Sequence, residues 1–402
     1  MTVPEGPGPH RRADEPSVVP VLEVGGSHVT AAVVDLDRAR IADGTRRRLP
    51  LAPGIGPEDF LATLAEAANG VLAVGALGTR TDGGVRTDGG AYPPRGARPD
   101  RGAYPDQGTH PARGVRVDRG AYPDQGTHPA RGARADRGTH PARGARTDRG
   151  THSALGGHPA VGAHAALGTW GIAVPGPFDY ARGIARYHGV GKFASLDGLA
   201  VGDLLTPRLN PRPAGLRFLN DASAFALGAR LTAHPGSRRL VAITLGTGVG
   251  SAFLDRGTIV EDDPRVPPEG RVDLLTVDGR PLEDTVSTRA MTAQYTDRTG
   301  RPVDGLRELT ARAAADDATA RDIITSALHA LGGALAPWLT AFEADTVVFG
   351  GSITAAWTLI GPPLTAGLSH HTPSLARLTL SARADGEDQA LLGAAAFAAR
   401  GA

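Results

Sequence analysis

The fold is decided by residues 18–35, which read VVPVLEVGGSHVTAAVVD. Two apolar runs, Val18–Val24 and Val29–Asp35, flank the turn Gly25-Gly26-Ser27-His28, and this pattern predicts a β-hairpin. The same pattern of two apolar runs around a glycine turn occurs again at residues 240–254, which read LVAITLGTGVGSAFL. A strand–glycine turn–strand unit that occurs twice predicts two related lobes with a cleft between them.

The pair Asn220-Asp221 lies between the two glycine turns in the sequence. The apolar run Leu216–Leu219 precedes it, and the helical pattern Ala222–Leu231 follows it. Glycine turns let backbone N–H groups approach phosphates, and a carboxylate can accept the proton of an attacking hydroxyl. The combination predicts phosphoryl transfer to a hydroxyl, with Asp221 as general base. The pair alone would favour a helix cap, and a residue at a helix start can serve both purposes.

Composition excludes several classes of site. The chain has 402 residues, a formal net charge of +1 and no cysteine. This length allows two domains, while the charge gives no indication of a nucleic-acid or anionic-membrane partner. The absence of cysteine excludes disulfides, thiolate nucleophiles and cysteine-ligated zinc. No signal peptide or membrane-spanning run is recognisable in the sequence, so we expect a cytoplasmic protein with no membrane partner.

A tandem repeat interrupts the chain. Residues 101–118 read RGAYPDQGTHPARGVRVD, residues 119–136 read RGAYPDQGTHPARGARAD, and a shortened copy follows at 137–148. The repeats contain almost no Leu, Ile, Val or Phe, so stacking them as a solenoid would bury little apolar surface. We therefore predict a disordered insertion at 77–167. Its histidines would offer no fixed geometry to a metal ion.

Strands and helices mix along the rest of the chain, which predicts the α/β class. Further strands are predicted at Ile172–Val174, Leu216–Leu219, Leu240–Leu245, Ser251–Leu254 and Thr346–Phe349. Helices are predicted at Pro57–Ala68, Ala222–Leu231, Leu282–Thr296, Ala314–Glu343 (broken near Gly332-Gly333 and Pro337), Ala355–Ala366 and Gln389–Arg400.

Five motifs, taken in order, resemble those of the ROK family of sugar kinases and regulators, within the actin-like ATPase superfamily. They are Glu23-Val24-Gly25-Gly26-Ser27, Val174-Pro175-Gly176-Pro177-Phe178-Asp179, Asn220-Asp221-Ala222-Ser223-Ala224, Gly246–Gly250 and Val347–Ser352. Together they are far more specific than any one of them alone. The resemblance runs from Val18 to Arg400 except for the insertion. It implies a two-lobed actin-like, ribonuclease H-like fold with an interlobe cleft.

Some positions depart from the family pattern. Glu23 replaces Asp in the first motif, and Arg271 stands where the family has His after Glu269-Gly270. The family's zinc-binding cysteine motif is absent, and residues 278–283 occupy that stretch, so no zinc is expected. These departures lie mainly on the side of the acceptor sugar, whose site is therefore expected to differ in shape.

The resemblance assigns roles to individual residues. Asp221 would be the general base, and Glu23 would position Mg²⁺ through water. The sugar-binding candidates are Asn220, Glu269, Glu283 and His188. The ATP-binding candidates are Gly25, Gly26, Ser27, Gly246, Thr247, Gly248, Gly350 and Gly351. The glycines could also be ordinary turns, Glu283 a favourable charge at a helix start, and His188 a surface loop residue.

The resemblance implies an ATP-dependent, glucokinase-like sugar kinase that uses Mg²⁺ and acts on a hexose or an N-acetylhexosamine. It also implies a homodimer. A catalytically weak or inactive regulatory protein that binds sugar or nucleotide is the alternative. Family repressors carry a DNA-binding domain before the first motif, and the residues there, rich in Pro and Gly, do not suit one, so no nucleic-acid partner is expected.

The expected domains follow the motifs. They are a disordered N-terminus (1–17), an N-terminal lobe (18–76 and 168–235), the repeat insertion (77–167), a C-terminal lobe (236–386) and a C-terminal helix (387–402) packed back on the N-terminal lobe.

Overall fold

The computed structural model of the protein describes residues 17–77, 168–189, 191–246 and 248–400. The predicted disorder of the N-terminus and of the repeat insertion falls almost wholly outside these residues. Thr247, one of the predicted phosphate-binding residues, lies outside them as well.

The N-terminal lobe is built on a six-stranded sheet of order β3-β2-β1-β5-β8, with β4 also paired to β2. Its strands are β1 Val18–Val24, β2 His28–Asp35, β3 Arg40–Ile41, β4 Arg47–Pro50, β5 Thr169–Val174 and β8 Gly215–Asn220. A short pair, β6 Phe178–Asp179 and β7 Ile184–Ala185, follows β5. Strands β1 and β2 pair antiparallel, whereas β5 and β8 run parallel to β1. The predicted hairpin is confirmed.

The C-terminal lobe repeats this plan in a five-stranded sheet of order β11-β10-β9-β14-β15. Its strands are β9 Arg239–Leu245, β10 Val249–Asp255, β11 Thr258–Val260, β14 Thr346–Gly350 and β15 Thr379–Ala382. The hairpin β12 Thr276–Val277 with β13 Arg280–Pro281 lies apart from it. In both sheets an antiparallel hairpin is extended by antiparallel pairing on one side, with β3 and β4 in the N-terminal sheet and β11 in the C-terminal sheet. Two parallel strands extend each hairpin on the other side. The two related lobes predicted from the repeated sequence theme are confirmed.

Two helices lie between the sheets, and together they form a core of small and branched residues. These are α3, Asp221–Thr232, and α9, Gly386–Ala399. The other helices are α1 Pro57–Leu77, α2 Val201–Leu205, α4 Glu283–Val286, α5 Thr288–Thr299, α6 Gly305–Ala314, α7 Ala318–Ala341 and α8 Trp357–His371. Helix α9 packs against α3 and against β1 and β5. Its first turn therefore lies at the end of the N-terminal sheet.

Helix α7 differs from the prediction, because Ala318–Ala341 is continuous through Gly332 and Pro337. Gly332 marks a close crossing instead of a break: a Cβ there would lie 2.5 Å from the carbonyl oxygen of Leu364 in α8. Among the described residues, α7 is the one helix long and apolar enough to cross a membrane. It is a core helix, since residues along its length are buried in the C-terminal core.

The prediction of a single helix at Leu282–Thr296 is wrong in one respect. It is divided at Ser287, whose backbone is extended and whose side chain accepts a hydrogen bond from the backbone N–H of Ala290. Ser287 is therefore the N-cap of α5, which favours a new helix start at this position. Helix α6 was not predicted, and the predicted start of α7 at Ala314 is four residues early.

Candidate active site

The parallel strands of the N-terminal lobe bring the first, second and third motifs to one edge of the sheet. In the register, Glu23 of β1 pairs with Ala173 of β5, and Ala173 pairs with Leu219 of β8. Asn220 and Asp221 follow directly at the end of β8. In open α/β sheets, ligands bind beyond the carboxyl ends of the strands, and these residues lie at that edge.

Asn220 is the residue that caps helix α3. Its Oδ1 accepts hydrogen bonds from the backbone N–H groups of Ala222 (2.8 Å) and Ser223 (3.4 Å). Its Nδ2 donates to the hydroxyl of Tyr180 (3.1 Å), which follows the Val174–Asp179 motif. The cap that sequence reasoning offered as the alternative role of Asp221 therefore belongs to Asn220.

Asp221 occupies the first turn of α3 and is half-buried. Its Oδ1 also accepts from the backbone N–H of Ala222, at 2.9 Å. The helix N-terminus favours a negative charge at this position. The Asp221 carboxylate therefore lies at the N-terminus of α3, directly after the carboxyl end of β8.

The second glycine turn lies against the start of α3. The backbone N–H of Gly246 donates to the carbonyl of Gly248 at 3.0 Å, which closes the turn. A Cβ on Gly250 would lie 3.1 Å from the Cβ of Ala222, the residue after Asp221. The first turn is closed in a similar way by a 2.8 Å hydrogen bond from Gly25 N–H to the carbonyl of His28, while Gly26 and Ser27 are exposed.

Glu283 supports the second glycine turn. Its Oε1 accepts a 3.0 Å hydrogen bond from the backbone N–H of Val249, and a Cβ on Gly248 would overlap this oxygen. Glu283 was predicted to bind sugar. Its described contacts are with the second glycine turn, and its contact with sugar stays a prediction.

The predicted sugar side is acidic and open. Glu269 is 72% exposed and lies 3.4 Å from Arg271, whose guanidinium also binds Asp273 at 2.6 Å. A cavity of about 440 Å³ is lined by Glu261, Asp262, Asp263, Pro264, Val266, Pro267, Pro268, Glu269 and Trp338. Its volume is in the range of small-molecule sites. Burial and the charge of Glu269 raise the pKa of Glu261.

Tyr180 connects this acidic side to Asp221. Burial is the main cause of the raised pKa of its phenol, and the charges of Asp221 and Glu261 raise it further, while Arg271 lowers it. These influences place residues of both lobes around one tyrosine. Tyr180 was not among the predicted site residues, although its position directly after the Val174–Asp179 motif was a usable signal.

Gly350 and Gly351 follow β14 where close packing leaves no room for a side chain. A Cβ on Gly350 would lie 2.7 Å from the ring of Phe225 in α3. Gly351 has φ +91°, and a Cβ there would overlap the carbonyl oxygen of Leu245. The predicted nucleotide turn is therefore in contact with the end of β9, directly before the second glycine turn.

His188 lies apart from these residues. Its side chain is 98% exposed, and its Nδ1 is 3.7 Å from a carboxylate oxygen of Asp197. No described contact joins His188 to Asn220, Asp221 or Glu269, so its predicted contact with sugar stays a prediction.

Glu23 lies in an unusual environment for a carboxylate. Its side chain is 12% exposed, and its Oε2 is buried without a hydrogen-bond partner. Burial, followed by the charges of Glu387 and Asp221, raises the pKa of Glu23 from 4.5 to about 8, against a smaller opposite effect of Arg48. A buried oxygen without a partner fits a nearby cation, because a cation would compensate the loss of water. The residues present therefore suit the Mg²⁺ that the fold class implies.

The environment of Glu23 predicts a pH-dependent stability. A carboxyl whose pKa is higher in the folded state holds a proton that the unfolded chain releases, so folding loses stability between pH 4.5 and about 8. We expect Glu23→Gln to remove this loss. The difference in unfolding free energy between variant and wild type should grow by up to about 1.4 kcal/mol per pH unit over that window.

The measurement is urea unfolding of both proteins at several pH values, with a chelator present to exclude divalent cations. The difference should be smallest below pH 4.5 and constant above pH 8. A difference in unfolding free energy that stays constant between pH 4.5 and about 8 would contradict the described environment of Glu23.

Residues 278–400 match the ROK family model. The resemblance predicted from the sequence is confirmed, and the matched stretch contains Gly350, Gly351 and helix α9. No curated protein sequence matches the chain.

Solved structures of ROK proteins share the fold of the part of the chain that the structure describes. The ROK hexokinase from Thermus thermophilus aligns with a TM-score of 0.62 at 20% identity, covering 95% of this chain and 97% of the other. A ROK glucokinase from Streptomyces griseus, in complex with glucose and AMPPNP, gives 0.57 at 16% identity, with 96% and 100% covered. A ROK transcriptional regulator, a homologue of the E. coli MLC protein, gives 0.61 at 16%, with 95% and 79% covered. The two-lobed actin-like α/β fold is therefore confirmed.

Proposed function

We propose that the protein is an ATP-dependent sugar kinase. The observation that carries the proposal is the position of Asp221, at the start of α3, beside the second glycine turn and close enough to Glu23 to raise its pKa. Asn220 supplies the helix cap, so the Asp221 carboxylate is not needed for that purpose. The second glycine turn lies against the residue that follows Asp221, which supports a phosphate site beside this carboxylate.

In the proposed mechanism, Asp221 accepts the proton of a sugar hydroxyl as that oxygen attacks the γ-phosphorus of ATP. The glycine turns at Gly25–Ser27 and Gly246–Gly248 would hold the phosphates through backbone N–H groups. Glu23 would hold Mg²⁺ through water, and the ion would neutralise phosphate charge when bound. Gly350 and Gly351, at the end of β14, are the proposed contacts with the nucleotide. ATP and Mg²⁺ are the proposed cofactors, and no zinc is proposed.

The proposed acceptor is a hexose or an N-acetylhexosamine, as in a glucokinase-like enzyme. Acidic side chains bind sugar hydroxyls by charge-assisted hydrogen bonds, and Glu269 and Glu261 at the cavity offer such groups. Asn220, which donates a hydrogen bond to the hydroxyl of Tyr180, is a further polar candidate in addition to Glu283 and His188. Trp338 lines the cavity and offers an apolar surface for a sugar ring. We also propose a cytoplasmic homodimer without a nucleic-acid or membrane partner.

A regulatory protein that binds sugar or nucleotide without turnover is the second candidate. It is favoured by the high pKa of Glu23, because a protonated carboxyl binds a cation poorly. A ROK transcriptional regulator also shares the fold as closely as the kinases do.

The two candidates differ in turnover. Full-length protein with MgATP should release ADP only when an acceptor sugar is added, and a panel of hexoses and N-acetylhexosamines should reveal at least one acceptor. Nucleotide binding without ADP release for every member of the panel would contradict the kinase proposal and favour the regulatory candidate.

A further inference from the structure

Glu23, His28 and Glu387 converge beside the first glycine turn. His28 Nε2 lies 3.1 Å from Glu387 Oε2 and 3.6 Å from Glu23 Oε2. One potential ligand atom from each of the three side chains lies within 4.8 Å of the others. They come from the end of β1, the start of β2 and the first turn of α9. The cluster thus exists only because α9 packs against β1.

The cluster contains a polar atom that the protein does not satisfy. Glu23 Oε2 is fully buried, and its distance to His28 exceeds that of a hydrogen bond. Leaving such an oxygen without a partner costs free energy, so its position next to two further ligand groups points to a bound cation.

The residue types indicate which cations would fit. Mg²⁺ prefers oxygen ligands and keeps several waters, whereas an imidazole with carboxylates suits Mn²⁺, Fe²⁺, Co²⁺ or Zn²⁺. His28 is therefore the residue that separates this cluster from a site for Mg²⁺ alone.

Arg48 now provides the positive charge of the cluster. Its Nη1 lies 3.3 Å from Glu387 Oε2, and its Nη2 lies 3.1 Å from His28 Nδ1. A guanidinium can only donate, so His28 Nδ1 accepts and the ring proton is assigned to Nε2, which faces the two carboxylates. The Arg48 side chain is 57% exposed and can move away into solvent.

A bound metal ion would reverse this assignment of the His28 ring proton. Ligation through Nε2 requires the ring proton on Nδ1, where it would oppose the Arg48 donor. Ser27 Oγ lies 3.5 Å from Nδ1 and offers an acceptor for that proton. A second hydrogen bond of this kind usually orients a ligating histidine.

We propose that Glu23, His28 and Glu387 bind one divalent transition-metal ion directly, in place of the water-mediated contact with Mg²⁺ that the resemblance implies for Glu23, and that Arg48 takes the place of the ion when it is absent. The proposal rests on the proposed function only for the purpose of the ion beside the phosphates of ATP. Binding itself needs neither sugar nor nucleotide.

The test is a Mn²⁺ titration of the full-length chain without sugar or nucleotide, with free Mn²⁺ followed by electron paramagnetic resonance. His28→Gln and Glu387→Gln should each weaken binding at one site by at least about 10-fold. Arg48→Gln should tighten binding, because it removes the competing cation. If Arg48 only stabilises a hydrogen-bond network and does not compete with the ion, its replacement would leave the Mn²⁺ affinity unchanged, and this part of the proposal would be wrong.

Asp388→Asn is the matched control. Asp388 is next to Glu387 in the same helical turn, but it pairs with Arg46 outside the cluster. Its replacement should leave the Mn²⁺ affinity unchanged. The histidines of the repeat are present in every variant, so differences between variants do not arise from them.

Failure of the metal-site proposal can be distinguished from failure of the sugar-kinase proposal. Mn²⁺ binding that is lost in the His28 and Glu387 variants supports the metal site even if no sugar is phosphorylated. Absence of binding, or binding that both variants retain, overturns the metal site even if the protein is an active kinase. Circular dichroism checks folding, and if His28→Gln unfolds, Glu387→Gln and Arg48→Gln decide the question.

Discussion

Replacement of Asp221 by Asn is expected to lower sugar-dependent ADP release by about 10²–10⁴-fold, the usual contribution of a general base. Asn has nearly the same shape as Asp but cannot accept the hydroxyl proton at neutral pH. The affinity for nucleotide should change little, because the proposed phosphate contacts come from the glycine turns. The measurement is a coupled ADP assay with the best sugar of the panel, together with a nucleotide-binding titration.

The fold should tolerate this change. The amide oxygen of Asn can still accept the hydrogen bond that Asp221 Oδ1 receives from Ala222, and Asn220 remains as the cap. In contrast, Asn220→Ala should cost about 1 kcal/mol of stability through the lost cap. Asp203→Asn, at an exposed carboxylate in α2, is the matched control and should retain full turnover. Turnover in D221N within about threefold of wild type would contradict the role of Asp221.

Replacement of Gly393 by Ala is expected to destabilise the protein by at least about 2–3 kcal/mol, at the upper end of overpacking costs. A Cβ on Gly393 would overlap the carbonyl oxygen of Ala224 and lie 2.8 Å from the backbone nitrogen of Gly228 in α3. Both neighbours are backbone atoms, so the helices themselves must separate. Thermal and urea unfolding measure the loss.

Gly361→Ala is the matched control for this crossing. Gly361 is also in a helix, α8, but its nearest neighbours are side-chain atoms of Trp357 at 3.6–3.8 Å, an ordinary contact distance. Helix propensity favours Ala there by about 0.5–1 kcal/mol, but the following Pro362 disfavours a helical residue that carries a Cβ, so the net change in stability should be small. Equal effects at Gly393 and Gly361 would show that the α3–α9 crossing does not determine stability.

The sheets and motifs were predictable because their signals are local. The two hairpins are marked by apolar runs around glycine turns, and every predicted strand is present at nearly its predicted bounds. The order of the motifs then sufficed to identify the fold. Local signals gave a wrong prediction where a glycine is needed for close packing. Gly332 predicted a break in α7, but in the structure it permits close contact with α8.

The site was predictable only in part. Asp221 and the glycine turns follow strands directly, so strand order alone places them at one edge. Glu387 and His28 lie close to Glu23 only because α9 packs back across β1. No local sequence pattern predicts that contact. The family resemblance assigned Glu283 to sugar, while its contact with the second glycine turn depends on the close approach of Gly248, for which the sequence has no local signal.

The proposed role of Asp221 is to act on the hydroxyl of a bound sugar. The most direct test is a crystal structure of the protein with an accepted sugar and a non-hydrolysable ATP analogue. We expect one sugar hydroxyl to lie about 2.6–3.2 Å from the carboxylate of Asp221, with the γ-phosphate on its other side. A sugar bound away from Asp221, with another side chain contacting the hydroxyl nearest the γ-phosphate, would contradict it.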